Sequence, residues 1–243
     1  MKQTEHTAIV VHTSNYRDRD RMLTLFSPVK GKMDVIARGC RSPRSPLINA
    51  SELFALGDFE LYEKQGRQTV VSCQLIENFY PLREDYERLA CGTFLLNLCG
   101  AVIQPMQPAQ DLFMLLLHTL SRLAFSTQEW RPLLTGFFVH YAQDLGILPD
   151  MDRCLACGRE MEEGSHAFFD MGRGGFTCHS CGKIDAAAVP FSGEQMAFIR
   201  KARRTGASEW TDSPACHAPF QAMKHYVESY LGTRLRSGLM IPE

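Results

Sequence analysis

The chain has 243 residues, of which 45% are apolar, and a formal net charge of −1. This composition is that of an ordinary soluble globular protein, with room for one large domain or two to three small ones. No apolar run approaches the length of a membrane span, and the first twelve residues lack a secretory pattern. The sequence therefore excludes a membrane-spanning helix, and its overall charge gives no sign of a polyanionic partner.

The distribution of charge is less even than its sum. Residues 1–80 carry +2, residues 81–194 carry −6 and residues 195–243 carry +3, while residues 15–50 alone carry +5. Such asymmetry between segments is typical of contact with nucleic acid or a membrane surface. A solvated face without a partner explains it equally well.

Residues 6–80 have the pattern of five short strands with turns between them. The predicted strands cover 6–13, 21–26, 32–38, 53–62 and 69–77. Five strands of this length favour a small barrel or sandwich. One solution is the OB barrel, whose open face and loops bind single-stranded nucleic acid, and an SH3-like barrel is its competitor. Periodicity does not separate the two.

The basic residues of this region form a candidate DNA-binding set, because a cationic barrel face would neutralise phosphates and release counterions. The set comprises Arg17, Arg19, Lys30, Lys32, Arg38, Arg41 and Arg44.

From residue 83 onward the apolar period becomes helical. Helices are predicted over 86–103, 111–125, 130–145, 192–204 and 219–231. Ser192, with Gln195 three residues later, has the pattern of a capping box. We expect these helices to pack as a small bundle.

Two C-x-x-C pairs interrupt the helical half of the chain. Cys154 and Cys157 are separated by twenty residues from Cys178 and Cys181, which is the spacing of a four-thiolate zinc site. Four thiolates fill the tetrahedron, so the sequence predicts one structural Zn²⁺ with no open catalytic position. The alternatives are a redox dithiol or a chance spacing, and His166 and His179 are spare ligand candidates.

Details of this segment support the metal interpretation. A redox C-x-x-C would normally lie in a βαβ unit, and none surrounds either pair. Gly158 and Gly182 each follow a second cysteine, where a turn often needs positive φ. The connector, rich in Phe and Gly, favours a short β-ribbon. The remaining five cysteines show no pairing pattern, which predicts a reducing, cytoplasmic location; they are Cys40, Cys73, Cys91, Cys99 and Cys216.

Catalytic motifs are absent from the sequence. It contains no H-x-E, H-E-x-x-H, G-x-S-x-G or G-K-[ST] pattern, and the glycines at 172–175 fail the G-x-G-x-x-G test because Thr177 occupies the last position. We therefore expect a binding protein and not an enzyme. A metal-dependent hydrolase or nuclease without a recognised motif is the enzymatic alternative.

Several stretches, taken together and in order, resemble the RecO family of bacterial DNA repair and recombination mediators. They are TSNYRDRDRMLTLF at 13–26, GKMDVIARGCRSPR at 31–44, PLREDYERL at 81–89, LGILPDMDRCLACG at 145–158 and the segment 176–182. The resemblance implies an α+β multidomain fold, with an OB-fold barrel, an all-helical domain and an inserted four-cysteine zinc module. The corresponding domains are residues 1–80 for the barrel, 81–150 with 185–243 for the helical domain, and 151–184 for the module.

The resemblance also implies a function. It implies binding to single- and double-stranded DNA, annealing of complementary strands, and help to RecA in loading onto coated strands together with RecR. It implies contact with the C-terminal tail of single-stranded-DNA-binding protein, and a cytoplasmic protein associated with the nucleoid. That tail is acidic with an apolar end, and a cationic rim on the fourth predicted helix would suit it: Arg200, Lys201, Arg203 and Arg204. An alternative is a zinc-containing interaction adaptor that does not bind DNA.

Overall fold

The computed structural model describes residues 2–182, 188–210, 216–232 and 235–241. The described residues up to Ala124, together with Ser237–Ile241, form one compact unit, and those from Phe125 to Arg236 form a second. The first unit contains the barrel and two helices. The division into three domains stays a prediction.

Five strands close into a barrel in the order β1-β2-β3-β5-β4. The strands are β1 (Lys2–Tyr16), β2 (Asp20–Ser27), β3 (Gly31–Ala37), β4 (Leu56–Lys64) and β5 (Arg67–Glu77). β1 pairs with β4 along its first half and with β2 along its second half, with a bulge after Val10. β3 and β5 close the barrel through two parallel pairs only, Val35–Gln68 and Ile36–Thr69. The prediction of a five-stranded OB-type barrel is confirmed.

Alternation along the strands fills the barrel interior. Met33, Val35 and Ala37, predicted to share one face of their strand, are all buried in the barrel core together with Leu23 and Leu25. Their neighbours Lys32 and Asp34 lie on the outer side and retain exposure. Part of the outer side of β3 is therefore open to solvent, although Ile36 on that side is buried.

Two helices complete the first unit. Helix α1 (Tyr86–Val102) begins at Asp85, whose carboxylate accepts the Arg88 N–H. Helix α2 (Gln110–Phe125) follows the predicted proline break, and the ring of Phe113 packs edge-on against Phe26 of β2 at 5.3 Å between centroids. Phe26 is thereby buried outside the barrel core.

Helices of the second unit pack around a nearly fully buried helix, α3 (Trp130–Asp144). Helices α5 (Gly193–Arg204) and α6 (His217–Tyr230) lie against it. The capping box of α5 is present as predicted. His140 of α3 places its Nε2 2.8 Å from the Ala202 carbonyl and 2.9 Å from that of Thr205, at the end of α5, so this histidine satisfies helix-end carbonyls and is a structural residue.

A three-stranded sheet in the order β7-β6-β8 accompanies these helices. Its strands are β6 (Ala167–Asp170), β7 (Gly175–Cys178) and β8 (Val189–Phe191), and the single-turn helix α4 (His179–Gly182) follows β7. The rings of Phe169, Phe176 and Phe191 pack together behind it. The predicted β-ribbon is confirmed. None of the helices in the described part of the chain combines the length and apolar character needed to cross a membrane.

Candidate metal centre and nucleic-acid interface

The two C-x-x-C pairs converge. The Sγ atoms of Cys154, Cys157, Cys178 and Cys181 all lie within 4.8 Å of one another, and those of Cys157 and Cys178 are 4.0 Å apart. Four sulfurs at the corners of such a volume are close enough to bind one metal ion, and a set of four thiols is a soft-ligand donor set. Among the described residues, this cluster contains no histidine or carboxylate, so the spare histidine candidates lie outside it.

Each pair is held by local backbone geometry. The Cys154 N–H donates to the Arg159 carbonyl at 2.8 Å, and the Gly158 N–H donates back to Cys154 at 2.8 Å. Gly158 has φ +70°, as predicted for a residue that closes a tight turn. The second pair spans the junction of β7 and α4, where the Cys178 N–H donates to the Cys154 sulfur at 3.3 Å.

The prediction that Gly182 is needed for a positive φ was wrong. Gly182 lies in the α4 turn without positive φ. Any Cβ at this position would overlap the side chain of Phe168. Glycine is required here because α4 approaches β6 closely, and the sequence pattern alone does not distinguish a close approach from a left-handed turn.

The electrostatics of the cluster favour negative charge on one sulfur. Burial by itself would raise the pKa of Cys154, but hydrogen bonds from the backbone N–H groups of Cys178, Cys157 and Ala156 lower it to about 6. Hydrogen bonds in which the Cys181 thiol donates within the cluster, to Cys178 first and then to Cys157, raise the pKa of Cys181 to about 12.

The predicted DNA-binding residues separate into two groups on the barrel. Five of them, here called the arginine cluster, lie at the β1–β2 turn and in the segment after β3: Arg17, Arg19, Arg38, Arg41 and Arg44. All five are exposed. The Arg41 N–H donates to the Arg19 carbonyl at 3.1 Å, and its guanidinium donates to the Asp18 carbonyl at 3.1 Å. These bonds bring the two segments together at one end of the barrel.

The other two, here called the lysine pair, are Lys30 and Lys32 at the start of β3. β3 has seven residues, so the lysine pair and the arginine cluster are separated by about 20 Å along the strand. Lys30 and Lys32 line a cavity of about 340 Å³ together with His6 and Asp34. Burial, and secondarily the charge of Lys30, lower the pKa of His6, which favours a neutral imidazole beside the lysine pair.

None of the seven cations forms an ion pair with a carboxylate in the part of the chain that the structure describes. Arg21, a nearby arginine outside this set, does have a carboxylate partner. It pairs with Glu52 at 2.6 Å and also donates to the Ser51 carbonyl. The seven charges are therefore free to meet an external anion without first losing a carboxylate partner.

One feature of this surface was missed by the sequence reasoning. The guanidinium of Arg17 lies over the ring of the half-buried Tyr16 at 5.2 Å, which places an aromatic ring with a cation on one face beside the arginine cluster. Aromatic faces of this kind stack nucleobases. The signal in the sequence was the tyrosine that directly precedes the basic turn.

Helix α5 carries the four cations predicted to contact a partner, and the structure divides them. Arg200 is 7% exposed and donates to the carbonyls of Met151 and Met161. Arg203 pairs with Asp152 at 3.1 Å. Lys201 and Arg204 are exposed and line a cleft of about 290 Å³.

Comparison with known proteins covers nearly the whole chain. Residues 1–79 match the family model described as "Recombination protein O N terminal", and residues 83–239 match "Recombination protein O C terminal". A protein of Anaeromyxobacter dehalogenans named "DNA repair protein RecO" is 29% identical over 250 residues, which cover 100% of this chain and 97% of that protein. A protein of the same name from Acetivibrio thermocellus is 30% identical over 79% of this chain and 76% of its own length.

Proposed function

The chain belongs to the RecO family of DNA repair proteins, and we propose that it binds single- and double-stranded DNA and anneals complementary strands. In this proposal it acts with RecR to help RecA load onto strands coated by single-stranded-DNA-binding protein. The observation that supports DNA binding most directly is the set of seven barrel cations without carboxylate partners.

Barrel cations that have no carboxylate partner determine how this surface would bind DNA. Each cation that meets a phosphate releases condensed counterions, so binding is independent of sequence and falls steeply with salt. Along the outward side of β3, Lys32 is followed by Asp34 and Ile36, and the next cation, Arg38, comes after the strand ends. Asp34, in the middle of the hairpin, accepts a bond from the Thr24 hydroxyl at 2.7 Å. Phosphates are therefore held at the two ends of the hairpin, by the arginine cluster and the lysine pair.

Annealing follows from the same surface without a nucleotide cofactor. Two strands on one cationic surface have their mutual repulsion screened, which lets complementary bases meet. The pair of Tyr16 and Arg17 offers an unpaired base an aromatic ring and a planar guanidinium to stack on.

The four-thiol cluster is proposed to hold one structural Zn²⁺. Four cysteines in a closed tetrahedral arrangement suit zinc and leave no position for water. When bound, the ion would supply a cross-link between the turn at Cys154–Gly158 and the β7–α4 junction, and no catalytic chemistry. The chain is accordingly proposed to be a non-enzymatic protein.

The proposed surface for the tail of single-stranded-DNA-binding protein is the cleft beside α5. Lys201 and Arg204 offer exposed cations there, and Arg203, ion-paired with Asp152, adjoins them. Arg200 also lines this cleft, but its side chain is buried. The roles of RecR and RecA in the proposal, and its cytoplasmic, nucleoid-associated location, come from the family and not from a surface of this chain.

Titration of a labelled single-stranded oligonucleotide at several salt concentrations, with annealing of its complement followed in the same samples, tests the proposal. We expect binding that weakens steeply with salt and annealing that requires no ATP. Absence of DNA binding at low salt, with partner binding intact, would favour an interaction adaptor instead.

A further inference from the structure

The cleft beside α5 is built from two segments of the second unit. One wall is the exposed side of α5, with Ala197, Lys201 and Arg204, and the other is the turn at Glu163 and Gly164. This turn lies between the two cysteine pairs in the chain. The shape of the cleft therefore depends on how the metal module sits against α5.

Arg200 links these two parts. Its Nε and Nη2 donate to the Met151 carbonyl at 3.2 and 2.6 Å, Nη2 also donates to Met161 at 3.1 Å, and Nη1 donates to Glu162 at 3.3 Å. Its Nε also lies 3.6 Å from the Asp152 carboxylate. Met151 and Met161 flank the first cysteine pair, and the Met161 N–H donates to the Asp152 carbonyl at 2.8 Å. One side chain thus holds both flanks of the Cys154–Gly158 turn against the helix.

A second contact fixes the same arrangement without charge. Gly193, the first residue of α5, packs directly on the backbone of Gly164, and a Cβ at position 193 would overlap the Gly164 carbonyl. Gly164 has φ +76°, a conformation that glycine adopts without strain. The turn that forms the cleft wall is therefore seated on α5 through backbone contact as well.

We propose that Arg200 is a positioning residue that couples metal retention in the four-cysteine module to the shape of the α5 cleft, a surface for an acidic peptide. Its guanidinium acts on the cysteine turn and on the cleft together, so a change at one changes the other. The peptide part of this inference rests on the proposed function. Because binding free energies are reciprocal, a bound peptide should raise the affinity for the metal by the factor by which the metal strengthens peptide binding.

The test uses the full-length, metal-loaded protein and compares Arg200→Met with Arg203→Ala. Arg203 lies on the same helix and pairs with the same Asp152, whereas the bonds to the flanking carbonyls come from Arg200. Two quantities are measured: the rate of metal release to a chromophoric chelator, and the hydrogen–deuterium exchange of the α5 amides. We expect Arg200→Met to speed metal release by up to about tenfold, the low end of the effect of losing a group bonded to a metal ligand, because Arg200 holds residues that flank the cysteines and not the cysteines themselves. We also expect it to raise exchange in α5. Arg203→Ala should leave both within about twofold.

Two further variants keep the outcome decisive. Arg200→Lys keeps the charge but loses the forked donors, and serves if the Met variant does not fold. Gly193→Ala adds a methyl group against Gly164 and should open the cleft with no change of charge. Equal metal release and exchange in the Arg200 and Arg203 variants would overturn the coupling.

Peptide binding is read separately, with a labelled synthetic peptide rich in Asp that ends in Phe. We expect removal of the metal from the wild-type protein to weaken its binding, and Arg200→Met to weaken it by a similar factor. Peptide binding that is unaffected by metal removal would overturn the coupling. Wild-type protein that does not bind the peptide would refute the proposed partner surface, while metal release and exchange would still decide the role of Arg200.

Discussion

The salt dependence of the proposed DNA binding is the sharpest test of the barrel surface, because the number of barrel cations without a carboxylate partner sets the expected slope. For single strands, log K falls with log salt by about 0.7 for each phosphate neutralised. If each member of the arginine cluster meets one phosphate, changing all five to Gln should lower the slope by up to about 3.5. Changing the lysine pair to Gln should lower it by up to about 1.4.

The assay is fluorescence anisotropy of a labelled single-stranded oligonucleotide between about 50 and 200 mM salt. Over this fourfold range, a slope difference of 3.5 corresponds to about a 100-fold difference in the loss of affinity, and one of 1.4 to about sevenfold. Arg153→Gln is the control, since Arg153 is exposed but pairs with Glu160 at 4.0 Å. Its slope should equal that of the wild type.

Two results would refute this reasoning. A variant without the arginine cluster that kept the wild-type slope would remove that end of the barrel from DNA binding. The second is a control in which Arg153→Gln lowers the slope as much as the single variant Arg38→Gln does. Any exposed cation would then contribute equally, and the position of a cation on the barrel would not matter.

Three other expectations concern the metal module and the helical core. Acidification should release the metal, because each cysteine thiol must lose its proton to bind a metal ion. The stability that the metal provides should therefore be present at neutral pH and be lost as the pH falls. Competition with a chelator at a series of pH values measures this release. Cys181→Ser should weaken metal retention while Cys73→Ser, outside the cluster, should not, as metal content after dialysis will show. Gly136→Ala should destabilise by about 1–3 kcal/mol, because its Cβ would overlap the buried Trp210 ring. By contrast, Gly100→Ala, with 3.9 Å to its nearest neighbour, should be neutral or stabilising by up to about 1 kcal/mol in thermal unfolding.

The barrel and the metal cluster could be predicted from the sequence because both depend on local spacing. Alternation over residues 32–38 identified the side of β3 that is buried, since a strand's period is two wherever it is placed. The convergence of the two C-x-x-C pairs could be predicted from their spacing, because each pair can place two thiols on one metal ion from a single turn.

The positions of the cations could not be predicted in the same way. Arg200 belongs to a run of basic residues that is typical of a solvated helix face, and its burial depends on the carbonyls of Met151 and Met161, 49 and 39 residues away in the chain. Nothing in the composition of α5 indicates those partners. The separation of the lysine pair from the arginine cluster was within reach of the sequence, since a seven-residue strand between Gly31 and Ala37 sets them about 20 Å apart.

The short pairing of β3 with β5 has a consequence for motion. Four of the five junctions in the barrel wall are antiparallel ladders of many residues, whereas this one consists of Val35–Gln68 and Ile36–Thr69 alone. We expect a wall joined by so few pairs at one place to open there first, which faster amide exchange at the β3–β5 junction than at the other junctions would show. The β3–β5 junction is therefore the place where the barrel wall should part with the least loss of pairing, along the strand that carries Lys32.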